Sequence, residues 1–100
     1  MPSDASGSAP PVLREAPTAS PLRLLAFAGV RDVIGQAEAV VEVALPCTAD
    51  ELWPLLIARF PALSPYRGSV RLAINGTYAV PSDRVDSGDE VALIPPVSGG

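Results

Sequence analysis

Two glycines, Gly99 and Gly100, end the chain behind Pro95, Pro96, Val97 and Ser98. Side-chain chemistry is scarce elsewhere. There is no histidine, so an imidazole base, a histidine-built triad and the usual zinc ligand are all absent. Cys47 is the single thiol, which excludes an internal disulfide and a cysteine-rich metal site. At Leu45-Pro46-Cys47-Thr48 it has two readings: a thiol whose pKa is lowered by a helix N-terminus, or a small half-buried hydrophobe at a turn. Asp83, Asp86, Asp89 and Glu90 lack the ligand spacing of a calcium loop and read as turn and solvated surface, so no metal is expected. What remains is the carboxylate of Gly100. Two residues without Cβ atoms make the thinnest possible backbone, able to thread a channel that any side chain would block. Pro95 and Pro96 fix φ in the extended range, so the tail is expected to leave the body stiffly and hold that carboxylate away from it.

One hundred residues suffice for a single small domain. Residues 1–21 hold five of the twelve prolines and few large apolar side chains, the composition of a disordered arm. The expected organisation is an arm at 1–21, a folded domain at 22–94 and a flexible tail at 95–100. No signal peptide and no long apolar span is visible, so a cytoplasmic protein is expected. A net charge of −4 speaks against nucleic acid or an anionic membrane as partner. It suits basic protein partners instead. All seven basic residues are arginine, so the chain has no side-chain amine through which it could be conjugated to itself.

The elements that must position the tail can be read from periodicity. Residues 22–27, Leu-Arg-Leu-Leu-Ala-Phe, are apolar on both faces apart from one arginine, as a central strand requires. Residues 30–34 form one helical turn closed by Gly35. Residues 38–45 alternate, with Val41, Val43 and Leu45 on one face, and pair with the first strand as a hairpin. Thr48 and Glu51 form a capping box. The helix they open runs to about Phe60, with Leu52, Leu55, Leu56 and Phe60 on its buried face. Pro54 conflicts with a regular start: either the helix begins near Asp50 or its first turn is irregular. Residues 61–68 read as a loop. Residues 70–74 and 77–80 make a hairpin around Asn75-Gly76, and 91–94 make a last apolar strand. Apolar strands at both ends of a ββαβββ order must lie side by side and parallel in the middle of the sheet. The fold class is therefore α+β, a β-grasp or ubiquitin-like arrangement: a mixed sheet of about five strands with one main helix packed on one face. The opposite face is left partly apolar and open to a partner.

Several stretches together resemble the small subunit of molybdopterin synthase. These are Leu25-Ala26-Phe27-Ala28, Val30-Arg31-Asp32 with Gly35, Leu45-Pro46, Ala73-Ile74-Asn75, and the run from Gly88 through Pro95-Pro96-Val97-Ser98-Gly99-Gly100. The closing run is the most specific of them. The resemblance implies a sulfur carrier of molybdenum-cofactor biosynthesis. A ubiquitin-activating-like adenylyltransferase uses ATP to adenylate Gly100, a sulfur donor protein converts it to a thiocarboxylate, and the large synthase subunit draws the sulfur into the molybdopterin dithiolene. Gly99 then provides clearance in the partner's channel, Pro95, Pro96, Val97 and Ser98 direct the insertion, and Phe27 belongs to the docking surface. The resemblance also implies a heterotetramer with two large subunits. No tightly bound cofactor is implied. The chain itself is a sulfur-donating subunit whose catalytic groups come from its partners.

Two other readings compete. One is a diglycine sulfur carrier serving thiazole or cysteine synthesis or tRNA thiolation. The other, from a different class, is a ubiquitin-like modifier or a plain docking module. The Pro-Pro-Val-Ser stretch favours the molybdopterin family over the first, and deletion of Gly100, which should abolish sulfur transfer but leave docking through the sheet nearly intact, discriminates the second.

Overall fold

The first strand, β1, runs over Thr18–Ala26, and its alternation explains much of the molecule: Leu22, Leu24 and Ala26 are buried while Arg23 points the other way. The structure is a computed structural model that describes residues 16–96. A short helix, α1 (Ala28–Ile34), follows and ends on Gly35 at φ 93°, whose N–H bonds the Arg31 carbonyl. The chain then returns as β2 (Glu38–Leu45), antiparallel to β1 over its full length. The strand begins at Thr18, four residues before the expected domain boundary at 22, because Thr18 to Pro21 pair with Leu45 to Glu42. Pro21 has no N–H to contribute to a ladder, but its carbonyl accepts from Gly88 N at 2.9 Å. Residues 1–15 of the expected arm lie outside the described residues.

A two-residue strand β3 (Cys47–Thr48) leads into the main helix α2 (Ala49–Arg59). Thr48 is its N-cap, and the capping box is complete. Glu51 N donates to Thr48 Oγ1 at 3.1 Å, and Thr48 N donates to Glu51 Oε1 at 2.9 Å. Ala49 N and Asp50 N donate to the carbonyls of Asp83 and Pro81 at 2.8 and 3.0 Å. The N–H groups that a first helical turn cannot satisfy internally are thus all used, leaving none for an anion. Pro54 sits inside the helix without interrupting it. The missing proline N–H would have served the Asp50 carbonyl, and Asp50 is exposed to solvent.

The buried side of α2 is Ala49, Leu52, Trp53 and Leu56. Leu52 and Leu56 are where periodicity puts them. Trp53, however, occupies the space expected for Leu55, which is half-buried together with Phe60 at the rim of the core. Residues 61–66, expected as loop, form a 3-10 helix, Pro61–Tyr66, that inserts Leu63 fully into the core. Four further strands follow. The hairpin of β4 (Arg71–Ile74) and β5 (Thr77–Tyr78) turns at Asn75 and Gly76, both with positive φ. It is shorter than expected, leaving Val80 exposed. A strand absent from the sequence reading, β6 (Arg84–Val85), pairs with β3 and buries Val85.

The last strand, β7 (Glu90–Ile94), lies parallel to β1 and antiparallel to β4, giving the five-stranded order β2-β1-β7-β4-β5. Its Val91 and Leu93 join Leu22, Leu24, Val41, Leu72 and the α2 residues in one core. Among the described residues no polar or charged side chain is buried. Burial of those apolar side chains is the main source of stability here.

Candidate functional site

The parallel register sets where the tail departs. Ala26 stands opposite Leu93, so Phe27 is the next residue along and Ile94 lies beside it. Pro95 and Pro96 therefore leave the sheet next to Phe27. Phe27 is extended (φ −128°, ψ 151°) and is the N-cap of α1, its carbonyl accepting from Val30 N and Arg31 N. Its ring is 48% exposed. The backbone cannot keep this extended course, since α1 begins at once, and Ala28 takes φ 50° to make the bend. Around Phe27 lies an open hollow of about 370 Å³ lined by Leu25, Ala28, Arg31, Ala37 and Glu38. Another hollow, about 190 Å³, lies between α2 and the β4-β5 hairpin, and no residue singled out for function lines it.

Alternation carries this end of the molecule into a continuous face. On the side of the sheet without the helix, Leu25 is in register with Ala92, Ala92 with Ala73, and Ala73 with Tyr78. These residues make an apolar row across β1, β7, β4 and β5. The row ends on Tyr78, 52% exposed, while Val40, 63% exposed, stands one repeat away on β2 in register with Arg23. The Arg71 guanidinium sits 4.1 Å from the Tyr78 ring centroid, a cation-π contact.

A charged row runs beside the apolar one. Arg23 is bonded to Glu38 through both Nε and Nη2, and its Nη1 lies 3.2 Å from Glu90 Oε1. The hydrogen bond that Arg23 donates to Glu38, and then that residue's charge, push the Arg23 pKa above its usual value. Asn75 ties the adjacent turn to β7, its Oδ1 accepting from Glu90 N at 3.0 Å and its Nδ2 donating to Asp89 Oδ1 at 3.1 Å. Asp86 and Asp89 act as turn residues: Asp86 N donates to Asp89 Oδ2 at 2.8 Å, and Gly88 takes φ 83°.

Of the site residues read from sequence, Phe27, Pro95 and Pro96 come together at one corner of the sheet. Val97, Ser98, Gly99 and Gly100 lie outside the described residues. Sequence reasoning named no member of the helix-free face except Phe27. Leu25, Val40, Ala73, Ala92 and Tyr78 were legible only through their odd-even position relative to the buried residues of each strand. Cys47 does not have the lowered pKa that a helix N-terminus would produce. Burial, and after it the charge of Glu51, push its thiol up to about 11. Among the described residues no group of His, Cys, Asp and Glu is placed to hold a metal ion, and no helix is long and apolar enough to cross a membrane.

A mixed sheet with parallel terminal strands at its centre, one helix across one face, and a partly exposed apolar row on the other defines a ubiquitin-like β-grasp protein. The chain belongs to the ThiS family, which it matches over residues 24–100. It is 34% identical over 79 residues to a protein of Arabidopsis thaliana named molybdopterin synthase sulfur carrier subunit, an overlap of 79% of this chain and 82% of that one. Among solved structures it is similar to SAMP1 from Haloferax volcanii (TM-score 0.69, 28% identity, 81% of this chain and 100% of that one). It also shares its fold with a chain in the protein–protein complex of subunits 1 and 2 of molybdopterin-converting factor from Helicobacter pylori (TM-score 0.56, 20% identity, 80% and 99% coverage).

Proposed function

We propose that this chain is a sulfur carrier of molybdenum-cofactor biosynthesis, the small subunit of a molybdopterin synthase. The observation that carries the reading is the exit of the tail at Pro95 beside exposed Phe27, on a body whose helix-free face carries an apolar row. The name of the Arabidopsis relative supports the pathway, and the occurrence of this fold in a two-subunit complex supports a large-subunit partner.

A carboxylate resists attack until its oxygen becomes a good leaving group. In the proposed cycle an activating enzyme joins the Gly100 carboxylate to AMP at the expense of ATP, releasing pyrophosphate. A persulfide on a donor protein then displaces AMP to give an acyl disulfide, and a thiol cleaves its S–S bond, leaving a thiocarboxylate on Gly100 and a disulfide. In the synthase that sulfur passes to the pterin precursor, and hydrolysis returns Gly100 to a carboxylate. The body supplies binding energy through its sheet face while the reacting atoms sit at the end of the tail, so successive partners can reach the same group. Gly99 and Gly100 contribute thinness, and Pro95, Pro96, Val97 and Ser98 contribute direction. Acid, base and charge stabilisation come from the partners.

The test is intact-mass analysis after incubation with the cognate activating enzyme, ATP and a sulfur source. Exchange of one oxygen for sulfur at Gly100 is expected, and that product should yield molybdopterin when mixed with the large subunit and the sulfur-free precursor. An unchanged mass overturns the reading. A second reading, as a protein modifier, is favoured by the likeness to SAMP1. It requires covalent conjugates of this chain with lysines of other proteins, visible as a ladder on denaturing gels. A thiocarboxylate that makes no molybdopterin moves the chain to another sulfur pathway.

A further inference from the structure

The charged row on the helix-free face is unbalanced. Arg23 is a single cation held between two carboxylates, Glu38 on one neighbouring strand and Glu90 on the other, so the trio carries one net negative charge. Glu42, exposed on the same side of β2, adds to the excess. The other cations nearby do not cancel it. Arg71, stacked on Tyr78, keeps its charge but is in register with Ile94, four residues along β7 from Glu90, and Arg31 lines the hollow with Glu38 without forming an ion pair among the described residues. The trio is open to water, with side-chain exposures of 47% for Arg23, 53% for Glu38 and 34% for Glu90. It stands directly beside the apolar row, since Leu25 follows Arg23 by one repeat of the strand and is itself in register with both Ala92 and Glu38.

A protein that covers Leu25 and Ala92 must also strip water from this trio. A purely apolar partner would bury an uncompensated carboxylate, which is strongly unfavourable. We propose that the partner docking on this face brings a cationic side chain, arginine or lysine, against Glu38 and Glu90, next to the apolar surface that covers Leu25 and Ala92. The inference rests on the sulfur-carrier reading for the identity of that partner. Its basis is the charge count of this chain alone. The same residues then set specificity, because a partner with an acidic or neutral group at this place pays the desolvation of Glu38 and Glu90 without return.

The experiment measures the affinity of the full chain for the purified cognate large subunit by calorimetry, at low and at physiological salt. Glu38→Gln, Glu90→Gln and the double variant are compared with the wild type, and Asp50→Asn on the helix-bearing side controls for net charge. Each substitution on the face moves the trio from −1 toward 0 and then +1. Affinity should fall about three- to tenfold per step, more at low salt, while Asp50→Asn matches the wild type. Melting curves check that the exposed substitutions leave the fold intact. Glutamine variants that bind as well as, or better than, the wild type overturn the inference and leave the sulfur-carrier reading standing. A wild-type chain that fails to bind the large subunit removes both.

Discussion

Thr48 and Glu51 cap each other at the start of α2, each backbone N–H donating to the other's side chain, at 3.1 and 2.9 Å. The consequence is a helix whose beginning is set by its own residues in spite of Pro54. Thr48→Ala removes the hydroxyl acceptor and leaves the Glu51 N–H without its partner. A loss of about 1 kcal/mol is expected, read as a fall in melting temperature of about 4–8 °C. Thr48→Ser should retain most of the stability, and an unchanged melt for Thr48→Ala would show that the cap contributes nothing.

Leu63 comes from a proline-bounded 3-10 segment yet is fully buried among the side chains of α2 and the sheet. Leu63→Ala should cost about 2–5 kcal/mol in a denaturant titration, as for a leucine of a regular helix. A cost below about 1 kcal/mol would place the segment outside the cooperative core.

Ala28 has φ 50°, a left-handed conformation that its Cβ disfavours. Ala28→Gly relieves that strain at the cost of a more flexible unfolded chain, for a net gain of about 0.5–1 kcal/mol. Thermal unfolding would record a rise of a few degrees. A fall would mean that the methyl group is worth more as packing than the strain it carries.

The Cys47 thiol, raised from an ordinary value of 9.0 to about 11, stays protonated where exposed thiols begin to ionise. At pH 8 only about one molecule in a thousand carries the thiolate, so alkylation by iodoacetamide should be far slower than in the urea-unfolded chain. The linked effect on stability has a fixed sign. Because the folded pKa is the higher one, the contribution is complete below pH 9 and is lost as pH climbs from 9 toward 11. Equal alkylation rates for folded and unfolded protein at pH 8 would contradict the raised pKa.

Phe27 is half exposed at the corner where the tail leaves, so its ring adds little to the fold. Phe27→Ala should melt close to the wild type. Affinity for the large subunit should fall about tenfold or more, as for an aromatic anchor at the centre of an interface. Unaltered affinity would place the docking surface elsewhere.

Much of this architecture is written in local chemistry. The alternation in 38–45, the capping pair and Asn75-Gly76 each dictate an element by themselves, and the two apolar terminal strands require a parallel centre. The remainder depends on partners distant in the chain. Thr18 to Pro21 hold one strand-favouring residue, Thr18, and end on a proline, yet they extend β1 because Glu42 to Leu45 are there to pair with them. Trp53 takes the place expected for Leu55 because the burial direction of α2 is set by where the sheet lies. Leu63 was hidden for a different reason, since a segment rich in proline and serine reads as loop until a pocket in the core claims its leucine. The acidic excess around Arg23 was equally invisible: Glu38 and Glu90 meet it only through the strand register.

The pairing of β1 with β7 also has a meaning for the life of the chain. The middle of the sheet is built from two strands almost at opposite ends of the sequence, so the long-range pairing that unites them can form only late in synthesis. Until residues 90–94 have been made, β1 lacks a neighbour on one side and β4 lacks one too. A chain cut short of them would display apolar strand edges instead of a closed layer. Gly99 and Gly100 follow that strand by four residues, so the diglycine is made only once every strand of the body has been made.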